Sequence, residues 1–101
     1  MKAAEDIFDA IASPVRRRIV RQLARGPAAV HELQARFDIT QQAVSKHLRV
    51  LTHAGLVHAE RRGQENVYHL NPKPLREVRA WLDGFWTGKL ETLKAIAEEE
   101  E

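Results

Sequence analysis

Six interruptions limit what this chain of 101 residues can fold into: Ser13-Pro14, Gly26-Pro27, Asp38-Ile39-Thr40, Gly55, Gly63-Gln64 and Asn71-Pro72-Lys73-Pro74. Proline lacks an amide hydrogen and has a fixed φ, so it opens a helix but does not continue one. Glycine and short polar residues supply the tight turns that helix ends and hairpins need. Each stretch between interruptions is short, and its structure follows from the period of its apolar residues. No segment repeats and no long linker intervenes, so residues 1–101 are expected to form a single domain.

Ile7, Phe8 and Ile11 recur at helical spacing and predict a first amphipathic helix over about residues 3–12. Ser13 offers a capping hydroxyl and Pro14 a first helical position. Val15, Ile19 and Leu23 then line one face of a second helix, which Gly26-Pro27 ends. Val30, Leu33 and Phe37 mark a third, shorter helix. Asp38-Ile39-Thr40 makes a tight connection, with Thr40 as N-cap of a fourth helix, Gln41 to Ala54, that turns Val44, Leu48 and Leu51 inward and stops at Gly55.

The period changes after Gly55. Leu56 to Arg62 and Glu65 to Leu70 read as two strands of a hairpin around Gly63-Gln64. Asn71 to Pro74 breaks the chain again. Leu75, Val78, Leu82, Phe85, Leu93 and Ile96 predict a long C-terminal helix over about residues 74–97. Its last residues, Glu98 to Glu101, are expected to fray, because negative charge at a helix C-terminus opposes the macrodipole. Gly84 and Gly88 each cost about 1 kcal/mol relative to alanine in a helix interior. They permit close helix approach, or they kink or divide the helix. The expected fold class is mainly α with a small β-hairpin.

Composition removes several functions. There is no cysteine, which excludes disulfides, thiolate metal sites and cysteine nucleophiles. Lys2, Glu5, Asp6 and Asp9 break up the N-terminus, so it is not a signal peptide, and no apolar run approaches the roughly 18 residues of a membrane span. A soluble, cytoplasmic protein without a membrane partner is expected. The net charge of +2 conceals an asymmetry: Arg16 to Arg62 holds ten Lys/Arg and three Asp/Glu, while the remainder holds six and eleven. A basic middle suits a polyanion.

The fourth helix gives that charge a direction. With about 100° per residue and Gln42 at zero, Ser45, Lys46 and Arg49 fall at about 300°, about 40° and about 340°. Val44 and Leu51 fall at about 200° and about 180°, on the opposite side. The outward face therefore carries amide, hydroxyl, ammonium and guanidinium groups, and no acidic residue occurs between Thr40 and Ala59. Glutamine pairs with adenine edges and arginine with guanine edges, while serine and lysine serve bases or phosphates. Thr40, Gln41, Gln42, Ser45, Lys46 and Arg49 are thus candidate duplex-DNA contacts, with free amides near Thr40 as a phosphate site. Arg61, Arg62, Gln64 and Asn66 sit at the hairpin tip, where a basic turn beside a reading helix reaches flanking phosphates or the minor groove. Arg61, Arg62 and Gln64 join the candidate DNA contacts.

Residues 10–70 resemble the ArsR/SmtB family of winged helix-turn-helix repressors. The resemblance rests on Ala10-Ile11-Ala12-Ser13-Pro14-Val15-Arg16-Arg17-Arg18-Ile19-Val20, on Val44-Ser45-Lys46-His47-Leu48-Arg49-Val50-Leu51, on Ala54-Gly55-Leu56-Val57 and on Val67-Tyr68-His69-Leu70. It implies four helices, a β-hairpin wing and a fifth helix, with dimerisation through the first and last helices. It also implies a sequence-specific, homodimeric repressor acting at a pseudo-palindromic operator. Ile7, Phe8, Ile11, Val78, Trp81, Leu82, Phe85 and Trp86 are the expected dimer contacts. The aromatic load of the last helix suits a dimer core, with a pocket for an apolar effector as the alternative.

Many members of that family release DNA on binding metal. One class of sites uses cysteines on the helix before the reading helix, here Val30 to Phe37, where none occurs. Another uses Asp, His and Glu on the C-terminal helix, yet Leu75 to Ala97 holds no histidine. His31, His47, His53, His58 and His69 remain, and only His58 and His69 are placed to meet, across the hairpin. Zinc asks for about four converging ligands. The chain therefore resembles the metal-independent branch, with no metal or cofactor expected. Ser45 and His47 cannot face one another on a helix and no acids accompany them, so an enzyme is not expected. A sequence-tolerant architectural DNA binder and a protein-binding winged helix are the remaining rivals.

Overall fold

The computed structural model describes residues 2–99, including the side chains of 6–85 and 95–98. The elements are α1 (Lys2–Ile11), α2 (Pro14–Arg25), β1 (Ala28–Ala29), α3 (Val30–Arg36), α4 (Gln41–His53), β2 (Val57–Arg62), β3 (Glu65–Leu70) and α5 (Pro72–Glu99). The strands form one antiparallel sheet in the order β1-β3-β2. Ile7, Ile19, Leu33, Val44, Leu48, Leu51, Leu56 and Val57 are the solvent-excluded centre of the fold. Each such side chain contributes about 1.5–3 kcal/mol by leaving water.

Local chemistry fixes the helix ends. The Ser13 hydroxyl accepts the Arg16 N–H at 3.3 Å, with Pro14 opening α2 as expected. The exposed carbonyls at the end of α1 are taken by arginines of α2. Arg16 Nε donates to the Ala10 carbonyl at 2.5 Å and Arg17 Nη1 to that of Ile11 at 2.7 Å. Both place positive charge at a helix C-terminus, where the macrodipole favours it. Thr40 Oγ1 accepts the Ala43 N–H at 3.1 Å and caps α4.

The exit from α4 is a Schellman motif. Gly55 takes φ +78, its N–H reaches the Thr52 carbonyl, and the Leu56 N–H reaches that of Leu51, each at 3.0 Å. Leu51 and Leu56 are both fully buried, closing the motif with an apolar contact. The hairpin turn has Gly63 at φ +61 and no positive φ at Gln64, the first-position glycine of a type II′ turn.

Three features differ from the expectations of the sequence. β1 is an addition: Ala28 and Ala29 pair with Tyr68 and Val67, turning a hairpin into a three-stranded sheet. α5 starts at Pro72, not after Pro74, because the first turn of a helix needs no amide hydrogens. It runs unbroken through Gly84 and Gly88 and continues through Glu98 and Glu99. Glu100 and Glu101, also expected to fray, lie outside the described residues. Smaller shifts put Ala54 at the C-cap of α4 and Leu56 just before β2.

Candidate nucleic-acid interface

α3, the short link Phe37 to Thr40 and α4 form a helix-turn-helix, with the β2–β3 hairpin as its wing. The amphipathic division of α4 follows the wheel: Val44, Leu48 and Leu51 are buried, while Gln41, Gln42, Lys46 and Arg49 are exposed. Ser45 is half-buried where α4 approaches the sheet.

Two clefts open between helix and wing. Ser45 and Arg49 share the first, of about 430 Å³, with Thr52, His53, Ala59 and Tyr68. Gln41 shares the second, of about 230 Å³, with Arg61, Gln64 and Asn66, beside the His31–Glu65 ion pair at 3.3 Å. Gln42 and Lys46 stand outside both, on the open face of α4. Thr40 caps the helix, and a hydroxyl that accepts one bond keeps its own hydrogen to donate.

Strand alternation separates the two wing arginines. The register pairs Ala59 with Tyr68 and Arg61 with Asn66 on one face, and Glu60 with Val67 and Arg62 with Glu65 on the other. Arg61 therefore shares the face that meets α4. Its Nε donates to the Gly63 carbonyl at 3.1 Å, a neutral partner, and among the described residues no carboxylate compensates its charge. Arg62 lies on the opposite face, where its Nε donates to Glu60 Oε1 at 2.5 Å. The Arg62 hydrogen bond and then its charge hold the Glu60 carboxyl below the usual carboxylate range, with His69 Nε2 at 3.6 Å adding to the effect. The tip residues read from the sequence as one grip are thus one uncompensated cation and one engaged cation.

The wing is closed at its base. The Asn71 N–H donates to the Leu56 carbonyl at 2.8 Å and its Nδ2 to that of Gly55 at 3.1 Å. Asn71 Oδ1 takes His58 Nδ1. The His58–His69 pairing expected across the hairpin is present, with the rings stacked at 5.1 Å. On the inner side of α4, burial pushes the His47 imidazole down, and the nearby charges of Arg16 and Lys46 push it further. Both effects favour the uncharged ring.

A family model described as a helix-turn-helix domain matches residues 11–60. The HTH-type transcriptional regulator Rv2034 of Mycobacterium tuberculosis is 42% identical over 89 residues, covering 88% of this chain and 83% of that protein. The HTH-type transcriptional repressor SmtB of the same species is 43% identical over 78 residues, covering 77% of this chain but 58% of that one. A solved structure of a possible transcriptional regulator for arsenical resistance superimposes with a TM-score of 0.74 at 42% identity, over 89% of this chain and 94% of that one. This chain belongs to the ArsR/SmtB family.

The cleft beside α4 in this ArsR/SmtB-family chain makes the candidate interface wider than the residues singled out from the sequence. Thr52, His53 and Tyr68 were missed. His53 falls at about 20° on the wheel that carries Gln42, so extending the face one more turn finds it. Thr52 falls at about 280°, beside Ser45. The Gly63-Gln64 turn sets the register that puts Tyr68 opposite Ala59, but the packing of that face against α4 needed the structure. Among the described residues, no three His, Asp or Glu converge as a metal site, and no helix is long and apolar enough to cross a membrane.

Proposed function

We propose that this ArsR/SmtB-family chain is a cytoplasmic homodimeric repressor that reads a two-fold-symmetric DNA operator, with one α4 in each of two successive major grooves. The observation that carries this reading is the face of α4: Gln42, Lys46 and Arg49 project into solvent from a helix without acidic residues. Gln42 and Arg49 read base edges, and Ser45 and Lys46 serve bases or neighbouring phosphates. Thr40, Gln41 and Gln64 contact the backbone beside them, and Arg61 grips the flank. Half-sites lie about 34 Å apart.

The second copy is argued from the opposite end of the molecule. Phe8, Trp81 and Phe85 are 37%, 50% and 48% exposed. They nevertheless form one cluster, with Phe8 edge-on to Trp81 at 5.8 Å and Trp81 stacked on Phe85 at 6.4 Å. Aromatic rings at this exposure favour a partner surface. The radius of gyration is 17.8 Å, against about 13 Å for a compact chain of this length. α5 thus extends beyond the body that a single copy can cover. Ile11 and Leu82 are half-buried and pack against the core of the single chain, whereas Ile7 and Val78 lie within it. Ile7 and Val78 therefore support the interface from behind. The Trp86 side chain lies outside the described residues. In this reading α1, α5 and the winged body act as one domain, and repression follows from covering a promoter.

Selection of bound duplexes from a random pool tests the proposal. Enrichment of a two-fold-symmetric motif is the expected outcome. Recovery without enrichment would replace it with sequence-tolerant binding, and no recovery would overturn DNA binding itself.

A further inference from the structure

We propose that Arg16 is a positioning residue for DNA reading: its guanidinium joins α1 to α4, and does so only while His47 offers a bare ring nitrogen as acceptor. The inference rests on α4 being the reading helix. Arg16 lies on α2, yet its hydrogen bonds leave α2 in both directions. Nε and Nη2 hold the carbonyls of Ala10 and Asp9, at 2.5 and 3.2 Å, at the end of α1. Nη1 lies 3.3 Å from His47 Nδ1 on α4. One planar fork thus ties the helix that carries Phe8 to the helix that carries Gln42, Lys46 and Arg49.

The chemistry fixes the state of the ring. A guanidinium has only donors and keeps its charge at every accessible pH. His47 Nδ1 must therefore accept, which requires an uncharged ring with its proton on Nε2. A second proton would set N–H against N–H and cation against cation. The charges that act on the ring are Arg16, from α2, and Lys46, its own neighbour on α4; both are positive. α1 enters the joint through main-chain carbonyls. Burial and these charges depress the folded-state value below the ordinary 6.5, so the unfolded chain takes up the proton first. The joint is intact above that ordinary value and is lost as the pH falls from there through the depressed one. Because α1 also packs against α5 through Phe8 and Trp81, whatever strengthens self-association steadies α4, and the reverse holds by linkage.

The effect has an unusual sign. Protonating a histidine near DNA ordinarily adds a cation and tightens binding, whereas protonating His47 breaks the support of the reading helix. The test compares wild type with His47→Asn, which sets an untitratable amide Oδ1 where Nδ1 stood. Dissociation constants for the selected operator are measured by fluorescence anisotropy at fixed ionic strength, at about pH 8 and about pH 5.5, either side of the ordinary histidine range. The ratio of the two proteins cancels the contributions of His31, His53, His58 and His69. Equal affinity at the higher pH, with wild type weaker by about twofold or more at the lower, short of the roughly tenfold that an undepressed ring would allow one pH unit below its ordinary value, is expected. A ratio independent of pH would overturn the proposal.

Nitrogen NMR of the His47 ring in the free protein gives a readout independent of DNA. A bare Nδ1 at neutral pH supports the joint, and an Nδ1–H tautomer overturns it. If neither protein binds a selected duplex, the DNA-reading assignment fails and the ring spectrum still decides the joint.

Discussion

The face of α4 and the aromatic face of α1 and α5 are both exposed, and they are exposed for opposite reasons. On α4 the outward groups are cations and amides, which water solvates well until a polyanion displaces it. On α1 and α5 they are Phe8, Trp81 and Phe85, which already touch one another and still leave much of their surface in water. The first surface is held rigidly, between the Thr40 cap and the Gly55 Schellman turn. The second continues along a helix that projects past the body of the chain. A charged surface is stable alone and discriminates by geometry. An aromatic surface gains most from a matching copy of itself.

Breaking the aromatic side should have the largest effect. Trp81→Glu is expected to dissociate the proposed dimer and to weaken operator binding by about 100-fold or more, since a monomer loses the joint engagement of two half-sites. Sedimentation equilibrium beside anisotropy checks this, and an intact dimer would move the interface elsewhere.

The polar side is probed next. Arg49→Ala should cost about 1–3 kcal/mol and relax preference at one base position. Titrations against singly substituted operators measure both.

The wing sharpens the contrast further. Arg61→Ala should weaken all sequences alike and lower the slope of log affinity against log salt by about 0.9 for each phosphate it no longer neutralises. Arg62→Ala should stay within about 0.5 kcal/mol, because Glu60 already engages that guanidinium. Glu60→Gln releases Arg62 and should tighten binding slightly at low salt. Equal losses for the two arginines would mean that the wing rearranges on DNA.

Much of this arrangement was legible in the sequence because it is local. Ser13-Pro14, Thr40, Gly55 and Gly63 announce helix ends and turns through their own backbone chemistry, and the wheel of α4 follows from helical geometry alone. What escaped depends on residues distant along the chain. Ala28 and Ala29 have no strand character of their own and become β1 only by pairing with β3. The difference between Arg61 and Arg62 is the exception, because it is local: strand alternation puts Glu60, two residues away, on the face of Arg62 and not on that of Arg61. Pro72 reads as a break because a proline within a run stops a helix, and only the structure shows that this one begins it. Ile7 and Val78 carry the same apolar signal as Phe8 and Trp81, and only packing assigns the first pair to the interior.

The closure at Asn71 also makes the wing a transplantable unit. One side chain and its own amide fasten the strand's return to the point of its departure at Gly55 and Leu56. The loop between them is sealed at its base, so a change near Gly63 reaches the body only through the Glu65–His31 ion pair and the pairing of β3 with β1. A tip borrowed from a relative, exchanged within residues 61–66 with Glu65 kept, should graft without remaking α4.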